Sequence, residues 1–190
     1  MIAVRLLVLA IPVLALVACD VSHRRNFIAP RYTANTFNYA AGGRDLKVEV
    51  LGNPTSLDQA TFQQAVVDSM QGHNPGQPTH LTLTPGPTAR PSYRTVVAFN
   101  PVLPVGIHDL CRGRVRPGGS TERLEIRAAF CEGNGTLTSV RGQAPADTPV
   151  NSAEFQSLMA GMTRELLPRH NPESFEDRRF GCLFITPSCP

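Results

Sequence analysis

This chain of 190 residues contains five cysteines, whose side chains can take part in more kinds of chemistry than any of its other residues. A thiol can bind a metal, act as a nucleophile or form a disulfide, and its setting distinguishes these uses. Cys111 closely follows His108 and Asp109, so an imidazole, a carboxylate and a thiol share one short segment. The sequence has no CxxC or HxxxH pair, which structural zinc sites usually show. It therefore predicts neither a metal site nor a cofactor.

Enzymatic motifs are also missing from the sequence. It contains no GxSxG elbow, phosphate-binding Walker loop, HExxH or GxGxxG pattern. A hydrolase would need a polar cleft that gathers His108, Asp109 and a hydroxyl such as that of Ser120, and this is the weakest of the functions considered. We expect a protein that is not an enzyme.

The amino-terminal twenty residues carry the most specific signal. One basic residue, Arg5, precedes an apolar run over residues 6–18, which is shorter than the roughly 20 apolar residues that a membrane-spanning helix needs. The run ends in Leu16-Val17-Ala18-Cys19, which resembles the lipobox of bacterial lipoprotein precursors. The resemblance implies that residues 1–18 are a signal peptide, and that Cys19 receives a diacylglycerol thioether and usually an acyl chain on its new amino group, such as palmitate. Two or three such chains give stable membrane anchoring.

An ordinary signal peptide is the alternative, with Cys19 the first residue of a soluble secreted protein. The lipobox instead predicts a lipid-anchored protein of a bacterial membrane, inner or outer, with its domain in the periplasm. Four cysteines in an exported domain predict two disulfides. We expect Cys111–Cys131 and Cys182–Cys189; the alternative pairing is Cys111–Cys182 with Cys131–Cys189.

The chain divides into three parts by composition. Residues 1–18 are the signal peptide, residues 19–43 are predicted to be the lipidated amino terminus and a flexible tether, and residues 44–190 a single α+β domain with a disulfide-closed tail. Arg24 and Arg25 in the tether are near enough to the lipid in sequence that they could touch anionic headgroups; the alternative is a merely solvated linker.

Periodicity within the domain predicts its elements. Alternating or apolar runs predict strands at residues 45–51, 80–84, 93–100, 124–130 and 136–141, the last two joined by a turn at Gly133-Asn134-Gly135. Ser56 and Asn151 are the expected N-caps of two helices. We predict a single antiparallel sheet of about five strands with two amphipathic helices packed on one face. This arrangement resembles small envelope lipoproteins that serve outer-membrane or transporter complexes, including the lipopolysaccharide-assembly lipoprotein.

A short basic segment follows Cys111. If the segment is extended, alternation places Arg112, Arg114 and Arg116 on one face, where they could bind phospholipid headgroups or glycan phosphate. The alternative is a solvated edge that discourages strand aggregation.

The function predicted from these observations is that of a membrane-anchored cell-envelope lipoprotein. It would be a non-enzymatic accessory or interaction subunit of an assembly, secretion or transport complex. A net charge of +3 is too small to indicate nucleic-acid binding. The alternative is a periplasmic binding module for a small apolar or anionic ligand, which would need a pocket lined by Phe62, Phe99, Phe130 or Phe155.

Overall fold

A computed structural model describes residues 21–118 and 122–172 of the chain. This part is a mixed α+β fold with a single six-stranded sheet and three helices. In chain order the elements are β1 (Ser22–Ile28), α1 (Ala34–Ala41), β2 (Asp45–Leu51), α2 (Gln59–Met70), β3 (His80–Thr82), β4 (Tyr93–Phe99), β5 (Arg123–Glu132), β6 (Gly135–Pro145) and α3 (Ala153–Leu166).

The sheet is mixed rather than antiparallel. Its strand order is β1-β6-β5-β4-β2-β3, in which β2 pairs in parallel with both β3 and β4 and the remaining pairs are antiparallel. The predicted sheet of five antiparallel strands with two helices is therefore wrong in detail. Helix α2 joins β2 to β3 as a crossover, and a crossover returns the chain in the same direction.

The predicted flexible tether is also wrong, because residues 22–41 belong to the folded unit. Strand β1 pairs with β6, and Thr33 caps α1 in a capping box with Thr36. Tyr32 lies between these elements; it is fully buried, and its hydroxyl donates to the Pro168 carbonyl over 2.7 Å. These contacts attach the amino-terminal segment to the end of α3.

Both predicted helices exist, but their N-caps lie further along the chain. Asp58 caps α2 by accepting the Thr61 N–H over 3.0 Å, and Ser152 caps α3 by accepting the Phe155 N–H over 3.1 Å. Ser56 is not a cap, because Asn53 holds the preceding residues in a turn: its side chain donates to the Leu57 carbonyl over 2.7 Å. Asp58 and Ser152 are of residue types that cap helices about as effectively as the predicted caps Ser56 and Asn151.

The two faces of the sheet are covered differently. All three helices contribute to one large apolar core against one face, which includes the alternating residues Leu124, Ile126, Ala128 and Phe130 of β5. The opposite, outer face carries the long connection of residues 101–118. No helix within the described ranges is long and apolar enough to cross a membrane.

Candidate functional site

The connection between β4 and β5 lies over the outer face of the sheet and is tied down by a disulfide. Cys111 of this connection is bonded to Cys131 of β5, with the two Cα atoms 5.5 Å apart. This confirms the predicted pair. The bond is enclosed by a small apolar cluster: Val96, Ala98, Leu110 and Ala129.

Two polar contacts fix the same connection from either side. Arg94 of β4 donates from Nη2 to the Cys111 carbonyl over 2.7 Å. Thr136 of β6 donates from Oγ1 to the Ile107 carbonyl over 3.0 Å. The disulfide and these two hydrogen bonds hold residues 107–111 against three strands.

Arg112, Arg114 and Arg116 are all exposed, but they do not form the strand on which their predicted common face depended. The Arg112 N–H donates to the His108 carbonyl over 3.1 Å, and the Arg114 N–H to the Asp109 carbonyl over 2.9 Å, so the segment is a series of turns. Strand β5 is already paired on both sides, by β4 and β6. A third strand therefore cannot pair with it.

Within the described residues, His108 and Asp109 contact different partners. The Asp109 carboxylate accepts the Gly106 N–H over 2.8 Å and so stabilises its own turn. The His108 ring meets the edge of Phe27, with ring centroids 6.0 Å apart. Ser120, the hydroxyl considered with them, lies outside the described residues. In the described part, no cluster of three or more His, Cys, Asp or Glu could hold a metal ion.

A row of three arginines crosses the outer face beside the clamped connection. Arg24 of β1 is paired in register with Arg141 of β6, which is paired with Arg127 of β5. We call these three residues the basic stripe. Glu125 forms ion pairs with Arg127 over 2.7 Å and with Arg141 over 3.0 Å. Arg24 is exposed and has no ion-pair partner in residues 21–118 and 122–172.

The basic stripe lies next to one end of the sheet, which we call the Ser22 end. Ser22 is in register with Gln143, and Gln143 with Glu125. Asn100, at the end of β4, joins this row because its N–H donates to the Glu125 carbonyl over 2.8 Å. Ser22, Arg24, Arg141 and Gln143 line a shallow cleft of about 300 Å³ together with His23.

Two exposed apolar side chains lie at the same end. Val102 and Leu103 follow Asn100 after one intervening residue, Pro101, and each is 52% exposed. The connection returns there, since the Val102 N–H donates to the Arg116 carbonyl over 2.9 Å. Gly52 permits the close packing: a Cβ at this position would lie 2.6 Å from the Phe99 carbonyl oxygen, and its φ of +79° disfavours other residues.

The opposite end of the sheet carries a second polar cluster, in which the charges are paired. The Tyr93 hydroxyl donates to Glu132 over 2.6 Å, and Glu132 also pairs with Arg31. Partial burial, followed by the Glu132 hydrogen bond, raises the pKa of Tyr93 to about 12. Arg90 stacks on the Tyr39 ring at 3.6 Å. Because these groups satisfy one another, we assign this Tyr93 end to the stability of the fold.

The remaining residues singled out by sequence are accounted for as follows. Cys19, Cys182 and Cys189 lie outside the described residues, so the second disulfide stays a prediction. Phe62, Phe99, Phe130 and Phe155 are fully buried in the core, where Phe99 contacts both Phe62 and Phe155. They fill the core instead of facing a ligand.

Of the basic stripe, only Arg24 was singled out from the sequence; Arg127 and Arg141 were missed because they are far from it in the chain. No sequence signal marks the row, because its register is set only when β1 pairs with β6.

No protein-family model matches the chain, and no curated protein matches it. Among solved structures, it is similar to PelC from Paraburkholderia phytofirmans, which is described as a dodecamer. One PelC structure is 13% identical with a TM-score of 0.44, and that of a single-substitution variant is 12% identical with a TM-score of 0.43. In both cases, the alignment covers 79% of this chain and 99% of the PelC chain.

Proposed function

We propose that this protein is a lipid-anchored cell-envelope lipoprotein, acylated on Cys19, that acts as a non-enzymatic accessory or interaction subunit of an envelope complex. The observation that carries the proposal is the sequence Leu16-Val17-Ala18-Cys19 after a short apolar run. The Cys111–Cys131 disulfide supports it, because disulfides form and persist in exported proteins.

The structure also bears on the alternative of a binding module for an apolar ligand. That alternative required a pocket lined by core phenylalanines, and these are packed against one another. The cleft beside Arg24 is instead polar and shallow. We therefore prefer a surface function to the enclosure of an apolar ligand.

The experiment that tests anchoring is replacement of the acylated residue. We expect Cys19→Ser to lose acyl chains from the mature amino terminus and to leave the membrane fraction, because the thioether sulfur is absent. Intact-mass analysis and membrane fractionation measure the two effects. The matched control is the double substitution Cys111→Ser and Cys131→Ser, which removes two cysteines elsewhere in the chain and should leave the protein acylated. A wild-type protein without acyl chains would refute the proposal.

The accessory role needs a second experiment. Crosslinking in intact cells followed by affinity purification through this chain should recover the same envelope proteins reproducibly. Recovery of the lipoprotein alone would count against an interaction role while leaving the anchoring result unaffected.

A further inference from the structure

The proposed lipid would lie very close to the folded sheet. Cys19 precedes Ser22 by three positions, and three extended residues span at most about 11 Å. Strand β1 begins at Ser22, so the chain has no long spacer in which to lift the domain away from the membrane. The Ser22 end of the sheet is therefore the part nearest the membrane if Cys19 is acylated, and to this extent the inference rests on the proposed function.

The surface at this end matches the chemistry of an anionic membrane. Of the three arginines in the basic stripe, Arg127 and Arg141 share the single carboxylate of Glu125, which leaves the row with a positive balance. Arg24 extends from the edge strand into the cleft that it shares with Ser22, Arg141 and Gln143. Guanidinium groups bind phosphate oxygens through two parallel hydrogen bonds.

Other charges at the Ser22 end do not reverse this balance. Glu122 and Asp147 lie beside the ends of β5 and β6, and Arg116 and Arg123 lie at the same end. Their charges offset one another two for two. Two further carboxylates at this end, those of Asp58 and Glu154, belong to the starts of α2 and α3 and so lie on the helix-covered side of the sheet. On the outer face, the positive excess of the basic stripe therefore persists.

The exposed apolar pair supplies the second component of a membrane-binding surface. Val102 and Leu103 follow Asn100, which is three strands away from Ser22, or about 14 Å at the usual strand spacing. Apolar side chains next to basic ones are typical of segments that lie in the headgroup region of a bilayer.

We propose that the Ser22 end docks on the surface of a bilayer that contains anionic phospholipids. Arg24 and Arg141 contact headgroup phosphates at the cleft, and Val102 and Leu103 enter the boundary with the acyl chains. Charges interact over roughly 8–10 Å at physiological salt. The short spacer keeps Arg24 at about this distance from the headgroups around the acyl anchor. The acyl anchor and the basic stripe therefore act on the same patch of membrane.

Arginine-specific modification of the acylated protein tests this proposal. The mature protein is placed in nanodiscs of phosphatidylcholine alone or with phosphatidylglycerol added, and phenylglyoxal modification is followed residue by residue by mass spectrometry. We expect Arg24 to react about fivefold more slowly in the anionic nanodiscs, since a basic residue near such a surface gains about that factor in binding. Exposed Arg44, just before β2 at the opposite end, is the matched control and should react equally in both.

Each other outcome overturns the proposal in a distinguishable way. Equal reaction rates of Arg24 in the two nanodiscs, with acylation of Cys19 verified, would reject docking and leave the proposed anchoring intact. Equal protection of Arg24 and Arg44 would show a general attraction without a docking surface. Protection of Arg24 that persists in 0.5 M salt, about three times physiological ionic strength, would reject the assignment to anionic lipid. The same assignment would be rejected if inorganic phosphate protected Arg24 equally in phosphatidylcholine nanodiscs. A mature protein without acyl chains would refute both proposals.

A pair of variants tests the apolar component. Leu103→Ser should reduce the protection of Arg24 in anionic nanodiscs, whereas Ile107→Ser should leave it unchanged. Ile107 is the matched control because it is 50% exposed in the same connection but is bound near the start of β6, at the other end of the sheet. Unchanged protection in Leu103→Ser would remove the apolar pair from the docking surface.

Discussion

The two faces of the sheet are held by different interactions. The helix-covered face packs fully buried aromatic side chains into one continuous core, which includes Phe37, Phe62, Phe99, Phe130 and Phe155. The outer face is covered by an irregular connection that is fixed by one disulfide, a small apolar cluster and a few hydrogen bonds. The difference indicates that one face specifies the fold, while the other can vary its surface chemistry at small energetic cost.

The largest expected difference between the faces is in the free energy of unfolding that is lost when one aromatic side chain on each face is replaced by alanine. Phe130→Ala should lower the free energy of unfolding by about 3–5 kcal/mol, because it empties a fully buried site among the rings of Tyr32, Phe37 and Tyr93. Urea denaturation measures the loss. Phe27→Ala on the outer face is the matched control and should lose much less, since Phe27 is only half-buried. Equal losses of unfolding free energy in the two variants would contradict the proposed difference between the two faces.

The next effect concerns the covalent clamp on the outer face. Replacing Cys111 and Cys131 together by Ala should destabilise the protein by about 3 kcal/mol, because the disulfide closes a loop with a sequence separation of 20. Amide hydrogen exchange should accelerate mostly in residues 101–118, where the bond is the main attachment. Equal acceleration in α2 and α3 would mean that the outer face contributes to the core as a whole.

The smallest effect separates two neighbouring arginines that point to opposite faces. Arg25 pairs with Glu165 of α3 over 2.7 Å and also donates to the Glu165 carbonyl over 3.0 Å, whereas Arg24 faces the cleft. Arg25→Ala should cost at most about 1 kcal/mol, as expected for a partly exposed ion pair. Arg24→Ala should leave the midpoint of urea denaturation unchanged. A loss of stability in Arg24→Ala would mean that this side chain has a structural role.

Local patterns in the sequence were enough to find several elements. The alternation in β2 and β5 identified both strands and their core-facing residues, and glycine at position 133, with its φ of +54°, marks the turn between β5 and β6 as expected. Counting cysteines predicted two disulfides and left two pairings open, of which the structure contains Cys111–Cys131. These features depend on short segments whose side chains carry the information directly.

Features that depend on distant partners could not be predicted in the same way. Strand β1 is an edge strand whose charged residues hide the alternation, as is common where an edge must resist further pairing. Helix α1 did leave a signal, since the spacing of Phe37, Ala40 and Ala41 is helical. The basic stripe left none, because its register is set only when β1 pairs with β6.

The pairing of the first strand with the last has a consequence for the order of folding. Arg25 in β1 bonds to Glu165, 140 positions later, so contacts of β1 form only after nearly the whole described chain has been made. Chains emerge from synthesis amino terminus first, and contacts between distant segments form slowly because a long loop must close. Strand β1 is therefore synthesised first but is among the last strands to pair. Until it pairs, the edge of β6 can pair with other strands. The charges of Arg24 and Arg25 favour a β1 segment that stays solvated until it pairs with β6.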